Sequence, residues 1–305
     1  MSKIFDALKK ADHLRAEGVV DAVLEDAITT SSPVLAAPAA GPEAPVVAGH
    51  SAPLTDPAPS TADVAPEVAP HQPRVAAMQV SALSPVFPFE DLHSQAAEQY
   101  RMIRTKVLHH PMQPRAIVVT SPTSGDGKTV TAINLAAVLA LKKDTRVLLV
   151  DADLRRRDVH RVLGLPEKPG LSDVLSGAAS LDESLVRLEQ FSNLWVLPAG
   201  SGNRNPAELL ESRRWREVIG ECRQRFTHVV IDATPIAAVT DFELIQLACD
   251  GVVLVVRPDH TDRGACMKSL ESVSKEKMIG TVLNCVEEWF LWKPQGYGYY
   301  YSSRA

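Results

Sequence analysis

The sequence predicts an α/β fold: a mostly parallel sheet with helices on both faces, preceded by a disordered linker. Three observations predict it. Six short runs rich in Val, Leu and Ile read as strands buried on both sides. Helix-like stretches separate them, as the crossovers between parallel strands require. Upstream of both, a long Ala/Pro/Val-rich segment has almost no aromatics and cannot build a packed core.

Taken in order, residues 2–15 place Ile4, Phe5, Leu8 and Ala11 on one face of a helix and Lys3, Lys9, Lys10 and Arg15 mostly on the other. This predicts an amphipathic helix within residues 1–18, suited to a membrane surface or a partner. Residues 19–86 follow as the linker, richest in Pro and Ala from about Thr30 to Val75. A folded domain is expected over 87–290 and a separate tail over 291–305. The strands of the domain are expected at 116–120, 146–150, 194–198, 228–232, 251–256 and 279–284. Helices are expected at 128–142, 206–220 and 239–249, the second capped by Asn205 with Pro206 at its first position.

Composition narrows the function. The 305 residues carry a net charge of -5 and a pI near 6.0, which gives no basic footprint and argues against a nucleic-acid partner. Four cysteines, Cys222, Cys249, Cys266 and Cys285, form no C-x-x-C pair and lie in or beside apolar runs. They predict buried, reduced thiols and neither a zinc site nor a disulfide frame. The start "MSKIFDALKKAD" has no signal-peptide core, and no run approaches a membrane span, so a cytoplasmic protein is expected.

The chemistry begins directly after the first strand of the domain, in "SPTSGDGKTVTAINLAAVLA". Ser124, Gly125, Asp126, Gly127, Lys128, Thr129 and Val130 form a phosphate-binding loop between a strand and a helix. The glycines let backbone N–H groups turn toward phosphate oxygens, Lys128 reaches the outer phosphates, and the Thr129 hydroxyl is placed for Mg²⁺. The helix adds the positive end of its dipole. Pro122 stands where the common G-x-x-x-x-G-K-[ST] pattern has its first glycine. Two carboxylate sites follow at strand ends: Asp151 and Asp153 in "VLLVDADLRR", and Asp232 in "HVVIDATP". One aspartate at a strand end is commonly a cap or turn. Three beside a phosphate loop suit Mg²⁺, which takes one or two carboxylates together with phosphate oxygens.

These motifs resemble the bacterial tyrosine kinases that control capsule and exopolysaccharide export, over roughly Pro88 to Ala305. The resemblance rests on the phosphate loop, on "LLVDADLRR" and "VVIDATP" as second and third nucleotide motifs, and on "LPAGSGNRNPAELL". It also rests on "EQYRMIR", with its E-x-x-R-x-x-R spacing through Glu98, Arg101 and Arg104, and on the tail "QGYGYYYSSRA". Ser124 and Thr234 stand where that family usually has proline, which alters loop rigidity but removes no ligand.

The resemblance implies a P-loop NTPase fold like that of MinD and ParA, with ATP and Mg²⁺ as cofactors. It implies transfer of the γ-phosphoryl group to the tyrosines of a neighbouring subunit's tail. Four of the five tyrosines, Tyr297, Tyr299, Tyr300 and Tyr301, lie in that tail. Asp151 is then the candidate base, Lys128 stabilises the phosphates, and Thr129, Asp153 and Asp232 hold the metal. Glu98, Arg101 and Arg104 are implied to join subunits in an octameric ring, although their spacing also suits pairs within one helix. A separate transmembrane polysaccharide co-polymerase is the implied activator, placing the kinase at the inner face of the plasma membrane. Asn284 is a candidate adenine contact or a plain turn residue. Arg155 and Arg156 suit either phosphate contact or a solvated turn.

Two other readings remain open on the residues. An ATPase switch like those that position division sites shares the three motifs, but it carries a signature lysine where this chain has Thr123. A nucleotide-responsive adaptor needs no catalysis, and the intact Lys, Thr and Asp set weighs against it.

Overall fold

The computed structural model describes residues 74–80, 85–86, 94–201 and 205–286. All of them belong to one compact unit, Ala65–Ala305. The expected helix at 1–18, the linker as far as residue 73 and the tyrosine tail at 291–305 lie outside the described residues.

Eight strands form one sheet: β1 (Arg74–Ala76), β2 (Ala116–Thr120), β3 (Val147–Asp151), β4 (Val186–Leu188), β5 (Leu194–Leu197), β6 (His228–Asp232), β7 (Gly251–Val256) and β8 (Met278–Leu283). Their order across the sheet is β1-β4-β5-β3-β6-β2-β7-β8. Every pairing is parallel except β4 with β5. All six expected strands are present within a residue or two of their predicted bounds. The expected linker boundary at 86 is corrected, because Arg74–Ala76 pair with Val186–Leu188 and extend the sheet. Neither three-residue strand is long enough to display a period in sequence.

The helices are α1 (Gln95–Leu108), α2 (Lys128–Ala140), α3 (Val159–Leu163), α4 (Leu171–Leu175), α5 (Leu181–Ser184), α6 (Pro206–Glu211), α7 (Arg213–Arg225), α8 (Asp241–Leu247) and α9 (Arg263–Ser272). The single helix expected at 206–220 is in fact α6 and α7. Ser212 adopts an extended conformation between them, and its hydroxyl donates to the Leu209 carbonyl at 2.6 Å. The cap expected for α6 is present, with the Asn205 side chain accepting from the Ala207 N–H and Pro206 at the first position.

Alternation along the strands builds two cores. Val118, Leu148, Val150, Val229 and Ile231 face one side and pack with Trp215, Ile219 and Phe242. Ile117, Val119, Leu149 and Val230 face the other and pack with Ile133, Leu135 and Ala136 of α2. All of β2, β3 and β7 is buried, so their uninterrupted Val/Leu runs follow from cover on both faces. The cysteines divide. Cys222 and Cys249 are buried, and burial pushes both thiols up to about 12. Cys266 is half-buried and Cys285 exposed, which corrects the expectation of four buried thiols.

β2 carries the phosphate loop at its C-terminal end, and its other end is pinned by a side chain. Asp250 accepts from the N–H groups of Arg115 at 3.0 Å and Ala116 at 2.8 Å, and pairs with Arg223 at 2.7 Å. Asp250→Ala strands these donors and should lower stability by about 1–3 kcal/mol. Urea denaturation checks this, and an unchanged midpoint would show that water replaces the carboxylate without loss.

Candidate nucleotide and phosphoryl-transfer site

β6 lies between β2 and β3, with Asp232 in register with both Val119 and Asp151. The strand order reverses about β2, and crevices at such reversals hold ligands at the carboxyl ends of the strands. The phosphate loop, Asp151, Asp153 and Asp232 meet there.

Gly125 and Gly127 have φ values of 95° and 94°, the left-handed region that glycine enters without strain. A Cβ on Gly127 would lie 2.0 Å from the Asn284 amide nitrogen. The turn they make delivers the chain into α2, whose first N–H groups have no partner within the helix. Ser124 to Gly127 form the turn after β2, and Lys128 to Val130 begin α2. Asp126 differs from expectation in one respect: its side chain is fully buried and turned into the protein, leaving only its backbone toward a ligand. Asn284 likewise donates its amide to the Asp126 carbonyl at 2.9 Å.

Lys128 Nζ sits 2.9 Å from Asp153 and 3.2 Å from Asp232. The Thr129 hydroxyl donates to Asp232 at 2.7 Å. All three aspartates are buried, so the ammonium faces more negative charge than it can neutralise. Burial alone would lower the Lys128 pKa, yet Asp232 and Asp153 outweigh it and raise it. Asp151 accepts from the Val159 N–H at 3.1 Å through one oxygen, while its other oxygen is buried without a hydrogen-bond partner. Burial first, and then the Asp232 charge, push the Asp151 carboxyl well above its usual value. Asp232 is raised chiefly by burial, against the pull of Lys128.

This oxygen-rich donor set suits Mg²⁺. Among the described residues no group of three or more His, Cys, Asp or Glu is arranged to hold a metal by itself.

Neighbouring arginines have separate roles. Arg155 is engaged in two bonds with buried Asp241, at 2.8 and 2.9 Å, so its side chain is structural in this arrangement. Arg156 donates to the Ser124 hydroxyl and pairs with Asp158 at 3.1 Å. Glu98 and Arg101 form an exposed pair within α1 at 2.9 Å, and Arg104 is half-buried on the same helix. The tail tyrosines Tyr297, Tyr299, Tyr300 and Tyr301 lie outside the described residues. Sequence reasoning missed Thr123, His260 and Thr261, all of which bind the Asp126 carboxylate. No local pattern announces contacts between residues 134 or 135 positions apart.

The raised Asp151 carboxyl has a consequence for stability. The folded protein keeps this proton at pH values where the unfolded chain, with an ordinary value of 3.8, has lost it. The nucleotide-free protein therefore loses stability as pH rises above about 4 and through the folded value. Asp151→Asn removes that dependence and should raise the melting temperature by a few degrees near pH 7. The gap from wild type should close as pH falls toward 4. Scanning fluorimetry across pH tests this, and a less stable Asn variant at neutral pH would refute it.

A family model described as the CobQ/CobB/MinD/ParA nucleotide binding domain matches residues 117–291. Tyrosine-protein kinase YwqD of Bacillus subtilis (strain 168) is 36% identical over 208 residues, covering 67% of this chain and 86% of that protein. Putative tyrosine-protein kinase EpsB of Ralstonia nicotianae is 34% identical over 212 residues, covering 68% of this chain but 27% of that protein. Among solved structures, the kinase domain of Escherichia coli tyrosine kinase ETK superposes with a TM-score of 0.61 at 27% identity, covering 71% of this chain and 86% of that one. Motifs, strand order and relatives agree: the chain belongs to the bacterial protein-tyrosine kinases built on the MinD/ParA-type nucleotide-binding fold.

Proposed function

We propose that this kinase transfers the γ-phosphoryl group of ATP to Tyr297, Tyr299, Tyr300 and Tyr301 on the tail of a neighbouring subunit. It thereby regulates the polymerisation and export of a capsular or extracellular polysaccharide. The observation that carries the reading is the buried cluster of Lys128, Thr129, Asp151, Asp153 and Asp232 beside the phosphate loop.

In this reading Lys128 leaves its carboxylate partners for the outer phosphates when nucleotide enters, and Thr129, Asp153 and Asp232 hold Mg²⁺. The metal, when bound, neutralises phosphate charge. Asp151 accepts the tyrosine proton. A carboxylate is ordinarily a weak base toward a hydroxyl with a pKa near 10, and the burial that raises Asp151 makes it a better one. The O–H bond of tyrosine breaks as its oxygen bonds to phosphorus, and ADP departs with the electrons of the broken P–O bond. Positioning and charge supply most of the acceleration.

The alternative of a division-type ATPase switch is disfavoured by Thr123. That position carries the signature lysine of those proteins, whereas here its N–H and hydroxyl both bind Asp126.

Partners follow from the same reading. Glu98, Arg101 and Arg104 join neighbours in an octameric ring that presents each tail to the next site. A separate membrane co-polymerase activates the ring at the inner face of the plasma membrane, with residues 2–15 as a second contact to it or to lipid. Among the described residues no helix is long and apolar enough to cross a membrane.

Incubation with ATP and Mg²⁺, followed by mass spectrometry, should place phosphate on Tyr297 to Tyr301. Lys128→Met should abolish it. That variant strips the ammonium from buried carboxylates, a loss of about 3–5 kcal/mol, so circular dichroism must first show that it folds. Lys128→Met with an intact tail should still be labelled by a tail-truncated wild type, because the transfer is between subunits. ATP hydrolysis with an unlabelled tail, even with the co-polymerase's cytoplasmic segment added, would overturn the kinase in favour of the switch.

Phosphate on four tyrosines adds roughly 6 to 8 negative charges per subunit at pH 7. Light scattering should report a lower mass after phosphorylation and in a Glu98, Arg101 and Arg104 triple alanine variant. Equal masses would sink the ring reading.

A further inference from the structure

We infer that His260 is a positioning residue for ATP, acting through Asp126 to hold the phosphate loop in its binding shape. The inference rests on the ATP-binding reading above and extends it to a residue outside the nucleotide motifs.

Asp126 sits between the two left-handed glycines, at the crown of the loop, and is fully buried. A buried carboxylate is costly unless donors surround it. One of its oxygens accepts from the Thr123 N–H at 2.9 Å and the Thr123 hydroxyl at 3.0 Å. The other accepts from the Thr261 hydroxyl at 2.7 Å and from His260 Nδ1 at 3.0 Å. The first pair is local and comes with the loop. The second comes from the turn after β7 and ties the loop to the sheet.

That turn is itself well built. The N–H groups of His260 and Thr261 donate to the Arg257 carbonyl at 3.0 and 2.8 Å, and the Arg257 N–H donates to the Thr261 hydroxyl at 3.2 Å. The imidazole has a second contact, since two of its ring atoms lie 3.3 Å from where a Cβ on Gly125 would stand. His260 therefore both bonds the Asp126 carboxylate and walls one side of Gly125. Its side chain is 43% exposed, so it holds the loop from the rim of the site.

Phosphate affinity depends on N–H groups that already converge before the ligand arrives. A loop with two left-handed glycines has little stiffness of its own and takes its shape from what grips it. Removing His260 leaves that Asp126 oxygen with Thr261 alone and opens space beside Gly125. The imidazole bonds to the loop and not to the carboxylate cluster of Asp151, Asp153 and Asp232. The effect should fall on nucleotide binding and spare the chemical step. A carboxylate oxygen accepts, so His260 Nδ1 donates. An asparagine amide can put an N–H in the same place, and alanine cannot.

The test uses the full chain with a fluorescent ATP analogue and Mg²⁺ for affinity, and tail phosphorylation for rates. His260→Ala should raise both Kd and the KM for ATP about tenfold and leave kcat at saturating ATP within about twofold. His260→Asn should return both to within about threefold of wild type. Apo melting temperatures of the two variants should stay within a few degrees of wild type. Wild-type Kd and KM in His260→Ala, a loss confined to kcat, or equal impairment of the Ala and Asn variants would each overturn the assignment. A wild type that binds the analogue without labelling its tail, even with the co-polymerase's cytoplasmic segment added, would refute the kinase reading while the Kd series still judged His260.

Discussion

Negative charge held out of water at the ends of β3 and β6 is the constraint on which the rest of this structure depends. Asp151, Asp153 and Asp232 are all buried, and Lys128 pairs with two of them. Like charges in such a site oppose one another, and a single ammonium cannot satisfy all of them. The sheet and helices must therefore be stable enough to hold an unfavourable group in place. Two apolar layers, one on each face of β2, β3, β6 and β7, supply that stability. In the proposed function the same strain favours Mg²⁺ and nucleotide, because added positive charge would relieve it and phosphate would give Lys128 a new partner.

The phosphate loop reverses the usual relation between a loop and its scaffold. Its shape comes less from its own residues than from segments remote in sequence: Thr261 and His260 after β7, Asn284 after β8 and Arg156 after β3. At position 124 the serine hydroxyl accepts from Arg156, and the buried Asp126 side chain ties the loop to the turn after β7. Asn284 likewise ties the end of β8 to the loop, its amide donating to the Asp126 carbonyl.

Much of this was legible in the sequence because the signals are local. The Val/Leu runs of β2, β3, β5, β6, β7 and β8 are continuous because both faces are covered, and Asn205 with Pro206 announces the start of α6. The phosphate loop is legible because glycines, lysine and threonine must be neighbours to perform its chemistry. What escaped was short or non-local. β1 and β4 have three residues each and exist only through their pairing. Arg155 suited either phosphate contact or a solvated turn, and its partner in the fold, Asp241, lies 86 positions away. Ser212 divides a helical stretch that propensity alone would continue.

The sequence by itself determined the chemistry available to this protein: which strands carry carboxylates, which loop takes phosphate, and that tyrosine hydroxyls are gathered at one end. Local backbone rules and nearest-neighbour spacing suffice for those features. Only the tertiary structure decided the proton affinity of Asp151 and Asp232 and the geometry of that chemistry. Whether a carboxylate is raised or ordinary depends on burial and on the charges brought beside it, and here the register of β3 with β6 puts Asp151 next to Asp232. Whether a glycine-rich loop is loose or held depends on donors from distant segments, and for Asp126 those are His260 and Thr261. Both outcomes arise from contacts across the fold, which no spacing along the chain encodes.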